Sequence, residues 1–426
     1  MTVQEVIDYI HSANWMGSVP CLSRTQNLLA MMGNPEKKLK FVHIAGTNGK
    51  GSTAAMAASI LTKAGYRTGL YTSPYIYRFH ERMQIDGEQI SDEDLVEIAE
   101  FVKPLADSLD QHPREFELVC CIAFEYFARK NCDIVVLEVG MGGAFDATNV
   151  IDCPEAAVIT NIGLDHTDFL GNTLEEIAET KAGIFKEGGH AVVYRGTPGV
   201  EAVFERISAE KHIKLHKADF DSLVNTSRDL FGQTFDCGSR KNIELPLLGE
   251  HQMFNASVVL SVMDALVEQG WQISEEHIRE GLKCVTWPGR FDIVSRDPLF
   301  IIDGGHNPQC IEALVKNIRD YLTGRRVIAL VGVLADKDYA EMFRPVMELV
   351  EQFVCITPNS PRKLEADDLA AYLRGIGAQA EGCGEMENGI RRCLELAADD
   401  GVVLCFGSLY SIGEVKDTLN AVLSGK

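Results

Sequence analysis

Short apolar runs recur along this chain, each ending in a glycine-bearing or polar tip and followed by a helix-like stretch. The runs are KFVHIA before GTNG, YRTGLYTSP (66–74), CDIVVLEVG (132–140), AAVITNIGLDH (156–166) and HAVVYRG (190–196). Strands that alternate with helices predict a mostly parallel sheet covered on both faces, with ligands collecting at the carboxyl ends of the strands. The polar loops at 46–52, 72–83, 138–149 and 160–168 all fall at such ends. Residues 212–248 show less regularity, and HQMFNASVVLSVMDALVEQG (251–270) and SEEHIREGL read as helices. After WPGRFDIVS (287–295), SRDP is the expected linker. A second, smaller series then begins with LFIIDGGHNP, RVIALVGVLA, QFVCITP and GVVLCFGSLY. At 426 residues the chain is long for one core, so two units are expected, 1–294 and 298–426.

The densest chemistry lies in HIAGTNGKGS (43–52). The apolar stretch Leu39 to Ala45 reads as a buried strand, Gly46-Thr47-Asn48-Gly49 as a turn, and Lys50, Gly51 and Ser52 as the opening of a small-residue helix. Strand, glycine turn and helix together aim backbone N–H groups at a polyphosphate, with a lysine reaching the outer phosphates. ATP or a related nucleotide is therefore the expected ligand. The spacing departs from G-x-x-x-x-G-K-[ST]. Ile44 stands at the first glycine position, and the hydroxyl comes one residue late, at Ser52. By itself, the loop is also compatible with an ordinary strand-to-helix turn. The expected fold is α/β: an N-terminal phosphate-loop ATPase-type domain with a mostly parallel sheet, and a smaller C-terminal Rossmann-like domain.

A net charge of −22 argues against a general nucleic-acid binder. None of the 12 cysteines forms a C-x-x-C pair, and several sit in apolar patterns, so reduced buried thiols in a cytosol are expected, not structural zinc or disulfides. The N-terminus MTVQEVIDYIHSANW has no signal-peptide pattern, and no apolar run approaches the ~20 residues of a membrane helix. The setting expected is cytoplasmic, with no membrane or nucleic-acid partner and a monomer as the default. A phosphate loop also needs Mg²⁺, which takes oxygen ligands. Glu138 ends one strand and is a candidate. His166 at the end of another, and Ser73 before a proline, are unremarkable alone.

Taken in order, GTNGKGS, YTSP with FHERMQIDGE, LEVGMGGAFDATN, ITNIGLDH, KAGIFK, HQMFNA, PGR, DGGHNP and GSLY resemble the folylpolyglutamate synthases and dihydrofolate synthases of the Mur ligase superfamily. The resemblance spans roughly residues 4–415 and accounts for the unusual loop, since GTNGKGS is the form used in that family. It implies an ATP-dependent amide ligase: a substrate carboxylate becomes an acyl phosphate, and the amine of L-glutamate displaces phosphate. By the same resemblance, Gly49, Lys50, Gly51 and Ser52 hold phosphates, and Ser73, Glu138 and His166 are Mg²⁺ ligands or near-ligands. Lys181 matches a carbamylated lysine that helps hold a second Mg²⁺; without the resemblance it would read as a surface helix lysine. Asn255 matches an adenine contact, Arg290 and Asp303 match ATP contacts across the cleft, His306 faces that cleft, and Ser408 lies where glutamate is received. Lys50, Lys181, His166 and His306 form the expected catalytic set.

The departures concern the pterin substrate. Met141 and Ala144 replace the leucine and arginine of G-L-G-G-R-x-D-A-T-N, Cys21-Leu22-Ser23-Arg24 replaces G-L-E-R, and Gly305 replaces the alanine of D-G-A-H-N-P. A folate or dihydropteroate remains the first expectation for the acceptor. A Mur-type ligase acting on another carboxylate stays open, as does a nucleotide-binding module without ligation. No N-K-x-D guanine motif is present.

Overall fold

The computed structural model describes residues 1–13, 21–305, 307–335, 339–360, 362–407 and 409–425. Its strands in chain order are β1 (Phe41–Ala45), β2 (Thr68–Tyr71), β3 (Met83–Ile85), β4 (Glu88–Gln89), β5 (Ile134–Glu138), β6 (Ala156–Ile159), β7 (His190–Val193) and β8 (Lys214–Lys217), then β9 (Val224–Asp229), β10 (Gly232–Cys237) and β11 (Arg240–Leu245), and finally β12 (Asp292–Arg296), β13 (Leu299–Ile302), β14 (Val327–Val331), β15 (Gln352–Ile356), β16 (Ala380–Gly384) and β17 (Val402–Phe406).

The first sheet has eight strands in the order β4-β3-β2-β5-β1-β6-β7-β8. β1 lies in its interior, parallel to β5 and β6, with Ile44 opposite Glu138 on one side and Val158 on the other. Every residue of β1 and β5 is buried, as expected when helices cover both faces. Alternation sorts the side chains. Val42, Ile44, Val136 and Val158 pack with the helices Lys50–Lys63 and Glu250–Glu268. Phe41, Val135 and Leu137 pack with Glu115–Arg129. The two wholly buried strands bring His43 and Glu138 into the interior, and Glu138 does so beside the glycine turn.

The second sheet runs β12-β13-β17-β14-β15-β16, parallel throughout except for the β12–β13 pair. It forms a separate core with Pro308–Tyr321 on one face and Met386–Ala397 on the other. This is the α/β architecture expected: a large, mostly parallel sheet and a smaller second one.

Three local expectations are corrected. Residues 212–248 hold β8 and an antiparallel sheet, β11-β10-β9. β9 (VNTSRD) is almost wholly exposed, so it carries no apolar run to betray it. The loop after YTSP contains β3 and β4, an antiparallel extension that pairs Gly69 with Ile85. SRDP is not a linker. It turns the β12–β13 hairpin, in which Asp292 pairs with Ile302, so the second sheet begins before it. An edge strand needs apolar side chains on one face at most, and β12 is only partly buried. The cysteines are free, and Cys120, Cys121, Cys132, Cys355 and Cys405 are buried, as their apolar surroundings in the sequence lead one to expect. Among the described residues no helix is long and apolar enough to cross a membrane.

Candidate active site

The turn Gly46–Gly49 leaves β1 and enters the helix Lys50–Lys63. It is stitched to the end of β6: the Thr47 N–H donates to the Asn161 carbonyl at 2.7 Å, and the Thr160 hydroxyl donates to the Asn48 carbonyl at 2.8 Å. Gly49 has φ +85°, and a Cβ there would lie 2.5 Å from Asn255 Oδ1, so both backbone and space demand glycine. A Cβ on Gly51 would fall 2.5 Å from the Trp287 ring, which covers the helix start. The Lys50 ammonium folds back and donates to the Gly46 and Thr47 carbonyls, each at 3.1 Å. Ser52 is buried and accepts from Gln252 Nε2 at 3.3 Å, and Gln252 Oε1 accepts in turn from Asn255 Nδ2 at 3.1 Å. Asn255 therefore packs beneath the turn.

Glu138 ends β5 with only 4% of its surface exposed. Its carboxylate accepts from the Ser73 backbone N–H at 3.1 Å. Burial pushes its pKa up to about 7, against the opposing pull of Lys50, Arg290 and Arg82. Lys181, the last residue of the helix Leu174–Lys181, is buried and donates to the Gly46 carbonyl at 2.9 Å. The alternative of a surface helix lysine is thereby overturned. Burial, and next the charge of Lys50, pull its pKa down to about 7. The chain continues as a 3-10 turn, Ala182–Ile184, in which Gly183 sits so close to Ala144 that a Cβ would approach within 2.4 Å.

His166 caps the short helix Thr167–Leu170 in a left-handed conformation (φ 50°), its side chain about half exposed and 3.9 Å from Asp165. Arg290 is half-buried, and its charge acts on both Glu138 and Asp303. Asp303 is buried at the end of β13 and accepts from the N–H groups of Phe291 (2.9 Å) and Gly305 (2.7 Å). Burial raises its pKa and Arg290 opposes the rise. His306 and Ser408 lie outside the described residues.

Several site residues were not singled out from the sequence. Asn48 reaches the second sheet's unit: its Nδ2 donates to Gln309 Oε1 at 2.9 Å, and its Oδ1 accepts from Asn307 Nδ2 at 3.0 Å. Asn307 also donates to Asp165 at 3.3 Å and caps the helix Pro308–Tyr321. An asparagine followed by proline is a helix-start signal, so its cap was legible; its reach to Asn48 was not. Arg82 is 8% exposed, with its guanidinium over the Tyr75 and Phe79 rings at 5.2 and 5.7 Å.

The Mur ligase middle domain family matches residues 44–263, and the Mur ligase glutamate ligase domain family matches residues 289–409. A dihydrofolate synthase/folylpolyglutamate synthase of Bacillus subtilis is 35% identical over 428 aligned positions, covering 98% of this chain and 99% of that protein. The chain belongs to the folylpolyglutamate/dihydrofolate synthase family of Mur ligases. Solved members of this family share the fold throughout. Folylpolyglutamate synthase from Thermotoga maritima superposes with a TM-score of 0.87 at 34% identity, covering 100% of this chain and 97% of that one. The Mycobacterium tuberculosis folylpolyglutamate synthase, solved with ADP and AMPPCP, gives 0.89 at 31% identity, covering 100% and 98%. Membership makes this chain a ligase of the Mur class.

Proposed function

We propose that this chain is an ATP-dependent ligase that adds L-glutamate to a folate, as a folylpolyglutamate synthase, and to dihydropteroate, as a dihydrofolate synthase. The observation that carries the reading is the convergence of Lys50, Lys181 and Glu138 on one glycine turn, with Arg290 and Asp303 beside it. Two amines and a buried acid gathered at a helix N-terminus suit a polyanion and its cation. The first sheet's unit would hold ATP and the second would receive glutamate.

In this reading the turn's N–H groups and Lys50 orient the phosphates, and the acceptor carboxylate takes the γ-phosphoryl group as an acyl phosphate. The glutamate amine then attacks the acyl carbon and phosphate leaves. Arg290 and Asp303 hold the nucleotide from the second unit, Asn255 supports the turn and the adenine side, and His306 and Ser408 serve the acceptor and glutamate ends. Closing the two units together keeps water from the acyl phosphate. The donor set would suit Mg²⁺ as follows: Glu138 is a carboxylate buried at real electrostatic cost, Ser73, whose backbone N–H meets it, would add a hydroxyl oxygen, and His166, on the loop after β6, would stand as a near-ligand. Magnesium would neutralise phosphate charge. Lys181, held near neutrality, is suited to carbamylation by CO₂, which would turn it into an anionic ligand for a second magnesium. A monomer in the cytoplasm is the setting we propose, in keeping with the free cysteines; mass measurement in solution checks the oligomeric state.

The test supplies purified protein with Mg-ATP and labelled glutamate, and offers dihydropteroate, tetrahydrofolate and a monoglutamyl folate separately. Glutamate-dependent phosphate release with at least one acceptor is expected. Release with none of them overturns the folate reading and leaves a Mur-type ligase for another carboxylate, the direction in which Ala144 points.

A further inference from the structure

A second cluster of ligand-type side chains lies on the same sheet, away from the phosphate turn. His190 opens β7, His216 lies on β8, and Glu268 ends the helix Glu250–Glu268. β7 and β8 run parallel, with His190 opposite Lys214 and Val192 opposite His216, so both histidines project from the same face, the one that this helix covers. The helix begins under the turn, where Gln252 and Asn255 sit. From Asn255 to Glu268 it travels about 20 Å at 1.5 Å per residue. The cluster therefore lies toward the amino end of β7, remote from Lys50 and Glu138.

His190 Nδ1 and His216 Nε2 are 3.3 Å apart. Two nitrogens bound tetrahedrally to one zinc at 2.0–2.1 Å are separated by about 3.3 Å, so the pair already has the spacing of one edge of a zinc site. Glu268 Oε2 is 3.9 Å from His216 Nε2, too long for a hydrogen bond, and one ligand atom from each of the three residues lies within 4.8 Å of the others. The glutamate is exposed and free to close that gap. Its present partner is the Lys214 ammonium at 2.5 Å, an exposed pair that yields readily to a divalent cation.

We propose that His190, His216 and Glu268 form a binding site for a borderline-soft divalent transition metal, with Zn²⁺ the best fit, that clamps the edge strand β8 and the end of the helix to β7. Two imidazoles and one carboxylate leave a fourth position for water and discriminate against Mg²⁺, which takes oxygen ligands. The absence of cysteine pairs could not reveal this site, because no thiol takes part.

The test titrates Zn²⁺ into the chelator-stripped full chain against a chromophoric competitor. One zinc bound with a Kd of about 10 μM or tighter is expected. His190→Asn and His216→Asn should each weaken binding at least ~10-fold, and Glu268→Gln less. Millimolar Mg²⁺ should not compete. Zinc should raise Tm in the wild type and not in the histidine variants, whose zinc-free melts serve as the control for folding. Zinc-edge anomalous density among the three side chains gives an independent readout. No zinc binding by the wild type at this level, or binding unchanged by both histidine substitutions (which would place the metal elsewhere on the chain), overturns the proposal.

Discussion

Lys181 and Lys50 donate to the same acceptor, the carbonyl oxygen of Gly46, at 2.9 and 3.1 Å. Two ammonium groups on one oxygen repel each other, and the more deeply buried one gives up its charge more readily. Burial is the larger reason that the Lys181 pKa falls to about 7, and this repulsion from Lys50 adds to it. A neutral amine is what CO₂ requires. Lys181→Ala is therefore expected to lose most ligase turnover and to recover part of it when short carboxylates such as acetate are added. Equal turnover with and without the additive, or density for an unmodified Lys181 in an active crystal, would count against carbamylation.

Lys50→Ala removes the charge that, in the proposed mechanism, orients the phosphates. Turnover should drop by at least roughly 10²–10³, the scale for losing one strong charge-stabilising donor. Steady-state phosphate release measures it, and turnover near the wild-type value would remove Lys50 from the mechanism.

Glu138 binds its proton more tightly folded, at about 7, than at its ordinary 4.5. Stability of the chelator-treated protein should accordingly fall as pH rises between those values. Glu138→Gln is expected to abolish ligation yet to stabilise the fold. Its advantage over the wild type should be about 2 kcal/mol larger at pH 8 than at pH 5. Urea unfolding at the two pH values reads this directly, and a pH-independent difference would show that burial does not govern this carboxylate.

His43 gives the opposite slope at the acid end. It is fully buried in β1, with Nε2 2.8 Å from the Thr148 hydroxyl, which itself donates to Asp146 at 2.6 Å. The hydroxyl proton is thus committed, and Nε2 must be the donor. Burial lowers its pKa from 6.5 to about 3, so its contribution is intact above 6.5 and is lost as pH falls toward 3. Between pH 8 and pH 5 this costs about 2 kcal/mol. His43→Gln should show an acid-induced loss smaller by about that amount. Identical pH slopes for both proteins would exclude the assignment.

The Asn48–Gln309 contact joins the turn to the second sheet's unit. A double-mutant cycle with Asn48→Ala and Gln309→Ala should return a coupling of about 0.5–1.5 kcal/mol in ATP affinity. Additive effects would mean that nucleotide binding does not sense this contact.

The parts of this architecture legible in the sequence were those that burial writes into composition. β1, β5, β6, β14 and β17 are largely apolar runs because both of their faces are covered. The exposed strand β9 and the hairpin strand β12 are held by backbone pairing, which leaves no mark in side-chain polarity. The burial of Lys181 was equally hidden, since a lysine at the end of an amphipathic helix looks the same whether it meets water or a carbonyl. Asn48 read as a turn residue, because its partners Asn307 and Gln309 are distant in the chain and only tertiary packing brings them near.

The interior position of β1 also sets a timetable for synthesis. The strand and its turn are made early, but β1 is paired on both sides by β5 and β6, and Thr47 and Asn48 are fastened by Asn161 and Thr160. A nascent chain that has emerged only as far as Asp107 owns Lys50 but has nothing to shape the cradle around it. The pocket comes into being when Asn161 leaves the ribosome, and the contact across to the second unit only after Gln309 does, so ATP can assist the late steps of maturation but not the first.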